Sequence, residues 1–271
     1  MNLTGLLAHA TGEFVRVAQP STHVYLLALN RPESMNSWHG PMRTEMGHAI
    51  RDLANSEARV AVICGNEKAF SAGEDVRGMG DLSSISTKRF RGIAREFHDL
   101  FDMIEAMEIP VIAAIEGIAA GGGMELALSC DFRVAGRRAR FALPETNVGL
   151  IPGSGGCSRL VRLVGLARAK EILMLEGVMG ADRANELGLV TRLVDAGCAV
   201  DEALKMASTL AAKAPLALGM AKLILNTCSE VDLETGRRLE RLGQSVLKKT
   251  RDHAEGVAAF IAKRPAQWTE T

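Results

Sequence analysis

The 271-residue chain carries no net charge, because 32 basic residues balance 32 acidic ones. That balance excludes the broad basic face of a typical nucleic-acid binder or polybasic membrane protein. A local basic patch stays open. Aromatic residues make up only 4%, and Tyr25 is the single tyrosine. Five cysteines (Cys64, Cys130, Cys157, Cys198 and Cys228) are scattered, odd in number and never spaced C-x-x-C. They speak against a disulfide framework or a zinc knuckle and for a reduced compartment. No apolar run approaches the length of a membrane helix. The opening MNLTGLLAHATGEF lacks the basic and apolar regions of a signal peptide, so the cytoplasm is the expected compartment.

Familiar chemical signatures are also missing. There is no G-x-x-x-x-G-K-[ST] phosphate loop, and neither Gly121-Gly122-Gly123 nor Gly153-Ser154-Gly155-Gly156 fits G-x-G-x-x-G. The six histidines form no H-E-x-x-H or other tight ligand spacing. No G-x-S-x-G elbow exists. A lone S-x-x-K at Ser245 to Lys248 lies in a helical pattern without partner motifs. Metal, NAD and Ser-His-Asp chemistry therefore have no support.

What is present is an ordinary globular balance, 47% hydrophobic and 24% charged, with 27 glycines and 12 methionines. Val24 to Asn30 reads as a strand ended by Arg31-Pro32. Trp38, Met42, Met46, Ile50 and Leu53 then mark one helix face. Val60 to Cys64 and Val111 to Ile115 suit buried strands, with a helical pattern from Phe90 to Ile104 between them. Asp131 to Ala135 and Ala139 to Leu143 read as two more short strands. From Cys157 to Pro265 the patterns are almost wholly helical, punctuated by Gly177, Gly180, Gly188, Gly197, Pro215 and Gly236. The expected fold is an α/β core over residues 1–200, followed by a helical region over 201–271.

Residues 109–156 carry the chemistry. A buried strand runs into three glycines, and an apolar helix begins near Met124. Backbone N–H groups at a helix start, beside glycines that permit close approach, suit a developing negative charge. Glu125 lies in the first turn, where the helix dipole favours its carboxylate form. Glu145 follows another short strand and precedes Gly149 to Gly156, a second glycine-shaped wall. Two carboxylates across a cleft can handle protons on both sides of a water. Taken singly, each feature also fits tight packing, a helix-dipole residue or a solvated loop charge. Spacing alone does not show that they converge.

At these residues the chain resembles the crotonase, or enoyl-CoA hydratase/isomerase, family. Leu29-Asn30-Arg31-Pro32 with Met35-Asn36-Ser37 is similar to its N-terminal motif around CoA. Lys68 to Asp75 (KAFSAGED) resembles its first oxyanion loop, and Ile115 to Ala127 its second. The resemblance spans about Val24 to Arg264 and implies a core of ββα superhelix turns with a C-terminal helical trimerisation region. It implies hydration of a trans-2-enoyl-CoA thioester to a 3-hydroxyacyl-CoA, with Glu125 and Glu145 catalytic. Backbone N–H groups of Ala72 and Gly122 would form the oxyanion hole. Arg31, Met35, Ser37, Ser71, Gly73, Glu74, Asp75, Gly121 and Gly153 would line the substrate. Arg31, Arg77 and Lys263-Arg264 are the cations expected to meet CoA phosphates.

No metal or separate cofactor is implied, coenzyme A being part of the substrate. The implied partner is the acyl-CoA alone, with no nucleic acid and no membrane, in a homotrimer or dimer of trimers. Both glutamates point to a hydratase, with an isomerase as the alternative; an RNA-binding or scaffold relative fits less well. The lone Tyr25 weakens readings that need a downstream catalytic tyrosine. Glu74, Glu116 and Cys157 depart from the residues usual at those positions and bear on substrate choice. Met79, Met103 and Met107 are candidates for the acyl-tail pocket or simply for the core.

Overall fold

A computed structural model describes residues 3–75, 77 and 85–271. Met79, one of the expected tail-pocket residues, lies outside them. The short helix α1 (Leu3–Leu6) precedes a hairpin of β1 (Val15–Ser21) and β2 (Val24–Leu29). Beside β2 lie β3 (Val60–Cys64), β5 (Val111–Ile115), β7 (Phe132–Gly136) and β10 (Arg192–Val194), giving six strands in the order β1-β2-β3-β5-β7-β10. Only β1 is antiparallel to its neighbour. Every residue of β3 and β5 is buried, as expected for parallel strands covered on both faces.

The covers follow from the sequence. On one face, α2 (Gly40–Ala54) buries Met42, Met46, Ile50 and Leu53, while α3 (Thr87–Ala106) buries Phe97, Leu100, Phe101 and Ile104. Both helices pack in one cluster with Trp38, Ile63 and Ile115. On the other face, α7 (Ala199–Ala211) lays Ala199, Ala203 and Ala207 against Val60, Val62, Ile112 and Val134. Alanines at four-residue spacing let that helix sit close to the strands. Fully burying a Val, Ile or Leu stabilises the fold by about 1.5–3 kcal/mol, so this two-sided core outweighs any single polar contact in placing the site. The expected boundary at residue 200 falls inside α7, which belongs to the sheet.

A second, four-stranded sheet holds β4 (Ala69–Ser71), β6 (Ile118–Ala120), β8 (Arg140–Ala142) and β9 (Met179–Gly180). Its first three strands are parallel. Their C-terminal ends therefore lie together, and each runs directly into a predicted site loop: Ala72–Asp75, Gly121–Gly122 and Leu143–Glu145. The helix α4 (Gly122–Ser129) starts at the second of these.

Beyond β8 come α5 (Gly156–Met174), bent at Gly165, and α6 (Ala181–Glu186). After β10 and α7 follow α8 (Pro215–Cys228), α9 (Leu233–Leu247) and α10 (Arg251–Ala262). The second half is thus not wholly helical, since β9 and β10 return to the two sheets. Gly236 does not punctuate; it lies inside α9, where a Cβ would stand 3.0 Å from Cys228 Sγ of α8. The buried Lys222 of α8 docks that helix, donating to the Ile104 and Ile109 carbonyls and pairing with Asp131 at 2.9 Å. Met107 is buried and Met103 packs at the edge of the main core.

Candidate active site

The first site loop is built from the tight turn after β2. Met35 and Asn36 both adopt positive φ, +51° and +54°, unusual for side chains larger than glycine. The reason lies in Asn36, fully buried, whose Nδ2 donates to the carbonyls of Ala69 and Phe70 and whose Oδ1 accepts from Arg31 N–H. Ser71 Oγ donates to the Asn36 carbonyl at 2.8 Å and accepts from Gly73 N–H. Asn36 thus fastens the turn to β4.

Trp38 completes the frame. Its N–H donates to the Gly73 carbonyl at 2.7 Å, and its carbonyl accepts from Asp75 N–H at 2.9 Å. This parallel bridge turns the intervening Glu74 N–H away from Trp38. Among the described residues, neither the Glu74 N–H nor the Gly122 N–H meets an acceptor. The Ala72 N–H, expected to be an oxyanion donor, is already committed to the Met35 carbonyl at 2.9 Å. The open donor of this loop is therefore two residues further on. Gly73, at φ +89°, allows the two loops to touch: a Cβ there would lie 2.7 Å from the Ala120 carbonyl and 3.1 Å from Gly122 N.

The second and third loops place the carboxylates. Gly121, with its N–H on the Ala142 carbonyl at 3.0 Å, begins α4. Glu125 is only 3% exposed, and its Oε1 accepts from Ser154 N–H at 2.7 Å and Gly156 N–H at 2.9 Å. The glycine wall at 153–156 is thus the cradle of Glu125. Burial still dominates and raises the Glu125 carboxyl above its usual range, against these donors and the nearby His98 and Arg159. The net shift runs opposite to the one expected from the helix dipole alone.

Glu145 rises from a 3-10 turn, Pro144–Val148. A Cβ on Gly121 would lie 3.0 Å from its Oε1, which sets the carboxylate directly above the start of α4. Its Oε2 is buried without a hydrogen-bond partner among the described residues. Burial and then the charge of Glu125 push its carboxyl up, opposed by its own backbone N–H. The two predicted glutamates are thus brought into electrostatic contact. Both also raise the thiol of the half-exposed Cys157, after desolvation.

The remaining predicted residues divide. Arg31 Nη2 pairs with Asp75 at 2.7 Å, and its Nη1 donates to the Ser37 carbonyl and hydroxyl. Met35 is exposed beside them. Arg77 is exposed, and a Cβ on the exposed Gly153 would meet only the Ile151 carbonyl, at 3.7 Å. The Glu74 side chain turns to Arg43 of α2 at 2.9 Å, and that guanidinium lies 4.5 Å over the Phe97 ring. Its second oxygen is buried and unpartnered among the described residues, and burial raises its carboxyl.

Glu116 and Arg264 both make structural contacts. Glu116 accepts from Gly197 and Ala199 N–H groups, so it holds the start of α7. Arg264 forms a two-pronged pair with Glu255, whose carboxyl it holds down to about 2; it ties the chain end to α10. Sequence reasoning missed Asn36, Trp38 and Arg159 as organisers of the site. The sequence marks Asn36 only as a member of the Met35-Asn36-Ser37 motif after a proline turn.

Among the described residues no group of three or more His, Cys, Asp or Glu side chains is disposed to hold a metal. No single helix there is long and apolar enough to cross a membrane. A cavity of about 850 Å³ between α3, α5 and α8 has neither glutamate in its lining.

The enoyl-CoA hydratase/isomerase family model matches residues 19–271. A crotonyl-CoA hydratase of Syntrophomonas wolfei is 36% identical over 245 residues, 90% of this chain and 93% of that one. The crystal structure of an enoyl-CoA hydratase from Bacillus anthracis superposes with a TM-score of 0.91 at 34% identity, covering 96% of this chain and all of that one. The structure of DspI from Pseudomonas aeruginosa gives 0.89 at 34% identity, with 95% and 97% covered. The chain belongs to the enoyl-CoA hydratase/isomerase family.

Proposed function

We propose that this protein adds water across the 2,3-double bond of a 2-enoyl-CoA thioester to give a 3-hydroxyacyl-CoA. The observation that carries the reading is the pair Glu125 and Glu145, whose carboxyls burial raises above their ordinary range, beside two open backbone N–H donors. The thioester oxygen fits between the N–H groups of Glu74 and Gly122. Charge developing there in the transition state is stabilised by donors already in place. Withdrawal of electrons toward that oxygen leaves Cβ open to attack.

Glu125 has one oxygen fixed by Ser154 and Gly156 N–H, which leaves the other to accept the proton of the attacking water. Glu145, with an unpartnered buried oxygen and a raised carboxyl, delivers a proton to Cα. The two steps balance: one proton enters Glu125 as one leaves Glu145, and the pair resets by exchange. The coenzyme enters as part of the substrate, and this chemistry uses no resident cofactor or metal. Arg31 would meet the CoA phosphates by exchanging its contact with Asp75.

We also infer self-association into a homotrimer or a dimer of trimers, in the cytoplasm. Exposed Leu242 and Val246 on α9 and Phe260 and Ile261 on α10 support burial against further copies. Sedimentation equilibrium tests this, and a monomer at working concentration would reject it.

For the reaction, a panel of 2-enoyl-CoAs is followed by loss of the conjugated-thioester absorbance, with product identification. Formation of a 3-hydroxyacyl thioester is the expected result. Interconversion of 3-enoyl and 2-enoyl thioesters without hydration would make the pair an isomerase site instead. Binding without turnover would overturn both.

A further inference from the structure

The two N–H groups that hold Glu125 come from an irregular turn, so something must fix that turn. The fixing group is Arg159, in the second turn of α5 and only 7% exposed. Its guanidinium folds back on the chain, and Nη1 donates to the Ser154 carbonyl at 3.0 Å. On its other side, Nε and Nη2 both donate to Glu105 Oε2, at 3.1 and 2.9 Å, and Nη2 also bonds Asp102. Ser154 is therefore pinned from both ends: its N–H on Glu125 and its carbonyl on Arg159.

The glycines of the turn make room for this arrangement. Gly155 has φ +93°, and a Cβ on it would fall 2.0 Å from Arg159 Nη1. A Cβ on Gly156 would fall 2.8 Å from Glu125 Oε1. One glycine thus admits the guanidinium and the next admits the carboxylate. An unbroken path of hydrogen bonds runs from α3, through Arg159 and the Ser154 backbone, to Glu125.

We propose that Arg159 is a positioning residue: anchored by Asp102 and Glu105 of α3, it holds the Ser154–Gly156 backbone that fixes the Glu125 carboxylate. The kinetic half of its test rests on the hydratase reading above; the other half does not. The groups that face Glu125 are His98 from α3, Cys157 and Arg159 from α5, and Glu145 from the 3-10 turn. Of these, His98 and Arg159 favour the ionised form. Loss of Arg159 removes a positive charge and loosens two donors. Both changes raise the pH at which Glu125 ionises.

Wild type, Arg159→Met, Arg159→Lys and Glu105→Gln are compared in two measurements on the intact protein. The first is the pH profile of kcat and KM with crotonyl-CoA. The second is the titration of the Glu125 carboxyl carbon by ¹³C NMR, assigned by its absence in Glu125→Gln. In Arg159→Met, kcat falls ~10- to 100-fold with KM nearly unchanged. Its acid limb and the Glu125 titration move together to higher pH. Arg159→Lys recovers part of both, and Glu105→Gln gives a smaller fall in kcat.

Folded Arg159→Met with an unmoved titration and unchanged kcat would overturn the proposal. If that variant does not fold, unchanged kcat and titration in Glu105→Gln overturn it equally. A wild type that hydrates nothing, yet shows the titration shift between variants, would remove the hydratase reading and leave the positioning role standing.

Discussion

Glu125 and Glu145 stand at the ends of neighbouring parallel strands, yet the chain supports them in opposite ways. Glu125 projects from a regular helix, is nearly inaccessible and has one oxygen bound by two backbone N–H groups. Glu145 projects from a 3-10 turn after a proline, and one of its oxygens meets no donor among the described residues. In both, burial is the leading cause of a raised carboxyl. The difference is in freedom: backbone donors fix one oxygen of Glu125, while Glu145 keeps an oxygen open. In the proposed hydration, a pair with one fixed and one open member gives a water a definite place without trapping the proton.

The largest effect that would break this comparison is loss of either member. Glu125→Gln and Glu145→Gln are each expected to lower kcat for enoyl-CoA hydration by ~10²–10⁴-fold, the usual contribution of a general acid or base. Binding of a CoA thioester should survive in both. Retained turnover in one variant alone would mean that the other carboxylate works unaided.

A smaller effect should come from moving a fixed carboxylate without removing it. In Gly156→Ala the new Cβ meets Pro152 Cβ at 2.7 Å and Glu125 Oε1 at 2.8 Å. Overpacking of this kind costs about 1–3 kcal/mol of stability, and a shift of the carboxylate is expected to lower kcat ~10- to 100-fold. Thermal melting and steady-state kinetics on the same preparation check both. A stable variant with wild-type kcat would show that Glu125 tolerates displacement despite its fixed oxygen.

The sequence reached the covered parallel core because apolar runs and helical spacing are local signals. Val60–Cys64 and Val111–Ile115 fall where the runs indicate, and α2 and α3 follow their apolar stripes. It missed β1, β4, β6, β9 and β10; the last four are two or three residues long and defined only by distant partners. The glutamates were legible as motif residues, but their convergence depends on the three-stranded register of the second sheet. The family resemblance points to Ala72 as an oxyanion donor because motif matching does not show which amide is already bonded; the Met35 carbonyl takes that one. Arg159 has no local sequence signal, since its partners lie 54 and 57 positions away on α3 and its contact with the site passes through a backbone carbonyl.

The smallest effect sharpens the comparison through stability. Burial raises the Glu145 carboxyl in the folded chain above its ordinary 4.5. As pH rises from that ordinary value to the folded one, the unfolded chain releases this proton while the folded chain keeps it. Stability therefore falls through that window and stays lower above it. A glutamine carries no such charge. Glu145→Gln is thus expected to melt at the same temperature as wild type in acid, below the window, and at a higher temperature at neutral pH. Glu125→Gln should gain less, because its amide must keep the oxygen on Ser154 and Gly156 N–H and so has one allowed orientation. Melting curves of the three proteins across pH separate the cases: a gain that persists unchanged in acid would trace to packing, whereas a gain confined to neutral pH traces to the buried charge.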